Sequence, residues 1–331
     1  MSSVLPAEWE KHEATWLAWP HNASDWPGKF AAIPWVYAEI VRRIAEGERV
    51  RLLAGAFEEK ARAVLRRSGV PFDKIEFLRI PTDRVWTRDS GPLFVRKDGR
   101  KAIAHFRFNA WAKYPDWKRD AHIPQRAARF LQVPLLPMGG VVLEGGAIDV
   151  NGEGLLLATE ECLLDSEVQV RNPGFSRADY ERLFRDSLGI SRTIWLGKGI
   201  AGDDTHGHVD DVARFVNPRT IVLCEEENPE DANHPALQEN AERLRSSGLE
   251  VVPLPMPQPV HFDGRRLPAS YANFYICNAA VLVPTFDDPA DRTALGILAE
   301  LFPDRAVVGI HSRDLVWGLG TLHCLSQQEP A

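Results

Sequence analysis

The sequence predicts an α/β fold of five similar sheet-plus-helix modules set around an axis. Three observations point to it. Four strand pairs recur along the chain, each turning at an Asn- or Asp-centred tight turn. Amphipathic helical segments lie between the pairs. One chemically distinctive residue stands just ahead of each pair, at nearly regular intervals.

The strand pairs come in order. G-P-L-F-V-R-K-D-G-R-K-A-I-A-H-F-R-F turns at Asp98-Gly99, and A-I-D-V-N-G-E-G-L-L-L-A-T at Asn151-Gly152. V-A-R-F-V-N-P-R-T-I-V-L-C turns at Asn217-Pro218, and N-F-Y-I-C-N-A-A-V-L-V-P near Asn278. Three helices are legible between them. Ile33, Val36, Ile40 and Ile44 recur at helical spacing over Ile33–Gly47. Over Ser176–Gly189, Ser176 can cap, Asp179 suits the first turn, and Tyr180, Leu183, Phe184 and Leu188 form the apolar stripe. Asp288-Pro289 opens a third helix containing Leu295, Leu298 and Leu301.

The residues ahead of the pairs are Asp89 in W-T-R-D-S-G, Glu144 in L-E-G-G, His208 in T-H-G-H-V-D-D and Asn273 in S-Y-A-N; Cys324 follows in H-C. The steps between them are 55, 64, 65 and 51 residues. A five-fold repeat of this chain would average roughly 66 residues. Modules placed around an axis would bring these five side chains to one place. The last module lacks a second strand after Cys324, and Ala14–Pro20 is expected to supply it, which would remove sheet edges. With 331 residues, 44% of them hydrophobic, and no obvious linker, residues 1–331 are expected to form a single catalytic domain.

Composition narrows the function. The net charge is −7 and no basic stripe offsets it, which argues against nucleic acid. No run approaches the ~20 apolar residues of a membrane span. The first residues hold no apolar signal core, so a cytoplasmic protein with reduced thiols is expected. The four cysteines, Cys162, Cys224, Cys277 and Cys324, form no C-x-x-C pair. Cys162, Cys224 and Cys277 read as small buried hydrophobes. No phosphate loop or dinucleotide fingerprint is present, so no cofactor and no metal are expected. The expected partner is a small cationic molecule, with no nucleic acid and no membrane; assembly into a homo-oligomer is left open.

Carboxylates beside a thiol raise its pKa and suppress the thiolate. The arrangement makes sense if the substrate is a cation. A guanidinium is planar, permanently charged and gripped bidentately by carboxylates. Once bound, it restores the thiolate and presents its carbon to the sulfur. On this reading Asp89 and Asp210 hold the guanidinium, Cys324 attacks, and His208 protonates departing ammonia and then deprotonates water. Glu144 orients His208 or binds guanidinium. Two rivals start from other features. H-G-H-V-D-D, His206 to Asp211, approaches the H-x-H-x-D-H pattern of two-metal hydrolases, but leaves Cys324, Asp89 and Glu144 without a task. A non-catalytic guanidine binder would need neither thiol nor histidine.

The chain resembles the agmatine deiminase family, related to bacterial peptidylarginine deiminases within the guanidine-modifying superfamily. The matching stretches are W-E-K-H-E-A-T-W-L-A-W-P, W-T-R-D-S-G-P, F-N-A-W-A-K-Y, L-E-G-G-A-I-D-V-N-G-E-G, T-E-E-C-L-L, G-H-V-D-D, L-P-A-S-Y-A-N-F-Y-I, L-F-P-D-R and L-H-C-L-S-Q-Q-E-P. They run almost end to end. The resemblance implies a five-bladed α/β-propeller, the pentein fold, and hydrolysis of agmatine to N-carbamoylputrescine and ammonia through an amidino-cysteine at Cys324. It implies a place in polyamine metabolism and putrescine biosynthesis. It implies roles for His208, Asp89, Asp210 and Glu144, with Trp86, Asn273 and Trp111 as pocket neighbours. For the substrate's amine tail, Asp204, Asp203, Trp19 and Trp26 are candidates. The family's usual G-G-G-N-I-H-C is here G-L-G-T-L-H-C, with Leu319 and Thr321 as replacements, and A-W-A-K stands where A-W-G-G-K is common. These departures leave other guanidines open, peptidyl-arginine or free arginine among them; the active-site residues themselves also leave amidino transfer to an amine open.

Overall fold

Each expected tight turn closes an antiparallel strand pair in the structure, a computed structural model describing residues 3–331. Met1 and Ser2, the first two residues of the expected domain, lie outside the described residues.

The elements repeat one plan. Leu93–Lys97 pairs antiparallel with Arg100–Arg107; helix Ile123–Leu131 crosses over, and Leu135–Val142 adds parallel. Asp149–Val150 and Leu155–Thr159 are followed by helix Arg177–Leu188 and the parallel strand Arg192–Leu196. Ala213–Phe215 and Thr220–Glu225 are followed by helix His234–Arg245 and Glu250–Pro255. Tyr275–Ile276 and Ala280–Thr285 are followed by helix Ala290–Leu301 and Ala306–His311. The fifth sheet joins distant parts of the chain. Ser326–Pro330 pairs antiparallel with His12–Ala18, helix Ile33–Gly47 crosses over, and Arg49–Leu53 and Ile75–Leu78 add parallel. The strand expected over Ala14–Pro20 thus starts and stops two residues earlier. A small hairpin, His261–Phe262 with Arg265–Arg266, stands apart. The architecture is mixed α/β.

Local chemistry sets the helix ends. Ile33–Gly47 has the expected bounds, with Ile33, Ile40 and Ile44 on its buried face. Ser176 and Asp179 form a reciprocal capping box, and Gly189 stops that helix in the left-handed conformation. The third helix begins at Ala290, with Pro289 at its cap position. Among the described residues, no helix is long and apolar enough to cross a membrane. All four cysteines are free and buried.

Candidate active site

The segments ahead of the strand pairs converge. Asp89 lies in the short helix Thr87–Ser90, Glu144 immediately precedes the turn Gly145–Ala147, and His208 precedes the turn Val209–Asp211 that carries Asp210. Asn273 precedes Tyr275–Ile276, and Cys324 precedes Ser326–Pro330. The five side chains meet in a buried cluster, each no more than 6% exposed. The L-E-G-G glycines make this approach fit. A Cβ on Gly145 would sit 2.2 Å from the Arg88 carbonyl oxygen, and one on Gly146 would sit 2.6 Å from His208 Nδ1. Gly146 also donates its N–H to Asp89 Oδ1 at 3.0 Å.

The thiol has three kinds of neighbour. Asn273 Nδ2 donates to Cys324 Sγ at 3.1 Å. Cys324 Sγ lies 3.6 Å from Asp210 Oδ2. A Cβ on Gly320 would be 3.2 Å from Sγ and 2.8 Å from the Trp86 ring. Burial, then Asp210, Asp211 and Asp89, push the thiol well above its ordinary pKa. Without a cation Cys324 is therefore a thiol, as the charge argument from sequence requires.

His208 sits between two carboxylates without bonding either. Nδ1 is 3.8 Å from Asp89 Oδ1, and Nε2 is 3.9 Å from Glu144 Oε2. Both ring nitrogens are buried without a hydrogen-bond partner. Burial opposes its charge, but the Asp89 field, with Cys162 and Glu144 close by, holds the ring protonated well above the usual imidazole range. Burial raises Asp89 to about 6, against the pull of His208 and with the push of Asp210 and Glu144. Burial would raise Glu144 too, but Arg171 donates from Nε to its Oε1 at 3.1 Å and the carboxyl falls to about 2. Asp210 is buried yet held below the ordinary range, chiefly by its hydrogen bond to His323 Nδ1 at 2.6 Å.

A cavity of about 120 Å³ opens onto this cluster, lined by Cys324, Asp89, Trp86, Trp111, Asp204 and Leu319 among others. Trp111 Nε1 donates to Asp89 Oδ2 at 3.0 Å, so it fixes the carboxylate as well as walling the cavity. Asp204 accepts from Tyr114 Oη at 2.5 Å and forms an ion pair with Lys113. Leu319, at φ 70°, is a side-chain-bearing residue in the left-handed region, and it lines the cavity together with Cys324.

Several expectations shift. Asn273 does not line the cavity; it is fully buried and faces the sulfur. Glu144 is likewise fully buried, behind His208 and against Arg171. Asp203 is a loop cap, accepting the N–H groups of Gly207 at 2.7 Å and His208 at 3.0 Å. Trp19 packs against Tyr37, and Trp26 packs against Trp86, its Nε1 donating to the Leu315 carbonyl at 2.8 Å. His206 turns away to Asp165, with Nε2 2.8 Å from Oδ2, so H-G-H-V-D-D does not gather its donors as a two-metal hydrolase would.

Sequence reasoning passed over the buried supports. Glu8 Oε2 lies 2.9 Å from His323 Nε2 and accepts from Arg88 Nη2 at 2.9 Å; Oε1 accepts from Arg214 Nη2 at 2.9 Å. His323 therefore bridges Glu8 to Asp210. Arg88 and His323 adjoin the predicted Asp89 and Cys324, and that adjacency was the available signal. Thr321 Oγ1 donates to Asn273 Oδ1 at 2.8 Å, although its sequence position marked it only as a replacement. Arg171, Arg214 and Glu8 carried no such cue.

The family model for Porphyromonas-type peptidyl-arginine deiminase matches residues 4–330. The chain is 35% identical to the agmatine deiminase of Pseudomonas fluorescens over 360 aligned residues, covering 99% of this chain and 95% of that protein. The agmatine deiminase of Stutzerimonas stutzeri is 34% identical, with the same coverage of 99% and 95%. A Campylobacter jejuni agmatine deiminase variant with substrate bound superposes with a TM-score of 0.91 at 30% identity, over 100% of this chain and 97% of that one. The agmatine deiminase of Enterococcus faecalis superposes with a TM-score of 0.91 at 29% identity, over 99% and 96%.

Proposed function

The chain belongs to the Porphyromonas-type peptidyl-arginine deiminase family, and from that premise we propose that it hydrolyses agmatine to N-carbamoylputrescine and ammonia. The observation that carries the proposal is one cavity onto which a buried thiol and Asp89 both open, with Asp210 3.6 Å from the sulfur. A neutral substrate would leave that thiol protonated. A guanidinium between Asp89 and Asp210 reverses the field on Cys324 and generates the thiolate at the moment of use.

The steps follow from the placements. As guanidinium binds, the Cys324 proton leaves to solvent; the thiolate attacks the guanidinium carbon, forming a C–S bond and a tetrahedral carbon. His208, protonated beforehand, gives its proton to the leaving nitrogen; the C–N bond breaks and ammonia departs. The neutral imidazole then takes a proton from water as its oxygen attacks the amidino-cysteine carbon. The C–S bond breaks as the new hydroxyl's proton passes to the departing sulfur, leaving the ureido product and the Cys324 thiol. Glu144, tied to Arg171, favours the cationic His208 before the first transfer and draws the water proton onto the ring in the second. Asp204, at the cavity wall, is assigned the amine tail. The five sheets are assigned as blades of a propeller that the pairing of Ser326–Pro330 with His12–Ala18 closes; their shared order of antiparallel pair, crossover helix and parallel strand supports this.

The test is ammonia release from purified protein given agmatine, with free arginine and a peptide arginine in parallel and Cys324→Ala as control. Release from agmatine, lost in the variant, is the expected result. Release from another guanidine alone overturns the substrate. Amidino transfer to an added amine in place of hydrolysis overturns the reaction.

A further inference from the structure

A second thiol stands behind the catalytic histidine. We propose that Glu144, Cys162 and His208 form a binding site for a thiophilic divalent cation of the zinc type, and that its occupancy switches the deiminase off.

Among the described residues, these three are the one group whose metal-capable atoms all lie within 4.8 Å of one another, and all three side chains are buried. Two of the donors lack any partner. Glu144 Oε2 and His208 Nε2 are buried and unbonded, and they face each other at 3.9 Å. That gap is too long for a hydrogen bond. With zinc–nitrogen and zinc–oxygen bonds of about 2.0–2.2 Å, two such donors on a tetrahedral ion stand roughly 3.4 Å apart, so this pair would close by about half an ångström and the Cys162 sulfur would move in with them.

The donors are held from three directions. Arg171 occupies Glu144 Oε1, which leaves Oε2 turned to the gap. Asp203 fixes the backbone of His208. Thr159 caps the short helix Glu160–Leu164 by accepting the Cys162 N–H at 3.1 Å, which sets the thiol's position. A sulfur, a nitrogen and an oxygen suit zinc, whereas magnesium and calcium require oxygen shells. On binding, the Cys162 S–H and the His208 imidazolium release their protons to solvent; nothing is oxidised or reduced. The guanidinium of Arg171 beside the site opposes the ion, so occupancy is reversible rather than permanent.

The inhibitory effect rests on the proton-carrying role of His208 proposed above. The binding itself does not. A bound ion takes the Nε2 lone pair and Glu144 Oε2, and the histidine can no longer shuttle a proton.

The experiment uses Cys324→Ala protein, so the nucleophile cannot act as a ligand, titrated with Zn²⁺ and then with Co²⁺. One Zn²⁺ per chain is expected, and the Co²⁺ form is expected to show a sulfur-to-metal charge-transfer band. The remaining thiols stand elsewhere, Cys224 against Ser270 and Cys277 against the Ala280 carbonyl. Adding Cys162→Ser to Cys324→Ala should weaken Zn²⁺ binding about tenfold or more and abolish the band. With Cys324 intact, Zn²⁺ should stop ammonia release, a chelator should restore it, and Cys162→Ser should raise the inhibitory concentration. Sub-stoichiometric Zn²⁺, Co²⁺ bound without a sulfur band, or unchanged affinity after Cys162→Ser overturns the site. The metal titrations need no turnover, so they stand whatever substrate the enzyme proves to use.

Discussion

The amide of Asn273 donates to the Cys324 sulfur at 3.1 Å while its oxygen is pinned by the Thr321 hydroxyl at 2.8 Å and the His323 N–H at 3.1 Å. The same oxygen faces the Cys324 N–H at 3.3 Å. With its oxygen committed to donors, the amide turns its NH₂ both to the sulfur and to Asp211 Oδ1, which accepts at 2.9 Å. A hydrogen bond to a charged acceptor contributes about 1.5–3 kcal/mol. Asn273→Ala is therefore expected to lower kcat/KM by roughly ten- to a hundred-fold. Thr321→Val should lose less, and Thr321→Ser should recover it. Equal activity in Thr321→Val and wild type would remove Thr321 from this role.

Reactivity of the thiol should depend on the charge of what approaches it. Burial and three carboxylates hold Cys324 protonated in the free site. Alkylation by neutral iodoacetamide should be slow at neutral pH and should climb only in alkali, above the ordinary thiol range. An alkylating agent carrying an amidinium should react far faster at the same pH, because it brings its own positive charge. Equal rates for the two reagents would contradict substrate-assisted thiolate formation.

Asp89 gives the acid limb. Burial lifts its pKa from the ordinary 3.8 to about 6, so in the free enzyme the carboxylate is lost as pH falls through 6. Below that point kcat/KM should drop about tenfold per pH unit. A bound guanidinium favours the ionised form, so the corresponding limb in kcat should lie at lower pH. Steady-state profiles of both parameters check this, and a flat kcat/KM between pH 5 and pH 7 would contradict it.

Gly146 tests how tightly the cluster is packed. An added Cβ would stand 2.6 Å from His208 Nδ1, 2.9 Å from Asp89 Oδ1 and 3.1 Å from Asp210 Oδ2. Gly146→Ala must move at least one of the three. We expect about a hundred-fold loss of kcat, in line with the sensitivity of catalysis to displacements near 1 Å, with the far-ultraviolet circular dichroism unchanged.

Much of this was readable because local chemistry governs it. Asp98-Gly99 and Asn151-Gly152 specify turns, Ser176 with Asp179 specifies a cap, and the even spacing from Asp89 to Cys324 implied convergence. The rest depends on contacts made across the fold. Glu8 gave no sign that it would anchor Arg88, Arg214 and His323, because those partners lie 80, 206 and 315 residues away. Asn273 was placed against the substrate because position in a repeat reveals where a side chain arrives, not which atom it meets. The nearness of Cys162 to His208 was hidden for the same reason: one belongs to a helix, the other to a turn ahead of the next sheet.

The pairing of Ser326–Pro330 with His12–Ala18 also has a temporal side. Protein synthesis delivers Asp89, Glu144, His208 and Asn273 first and the sulfur after them all. On the proposed mechanism, a nascent chain stopped short of Cys324 would hold the carboxylates assigned to guanidinium with no nucleophile, and its strand His12–Ala18 would still wait for its neighbour. Chemistry and completion of that sheet therefore arrive together, and a truncated copy is unreactive from the outset.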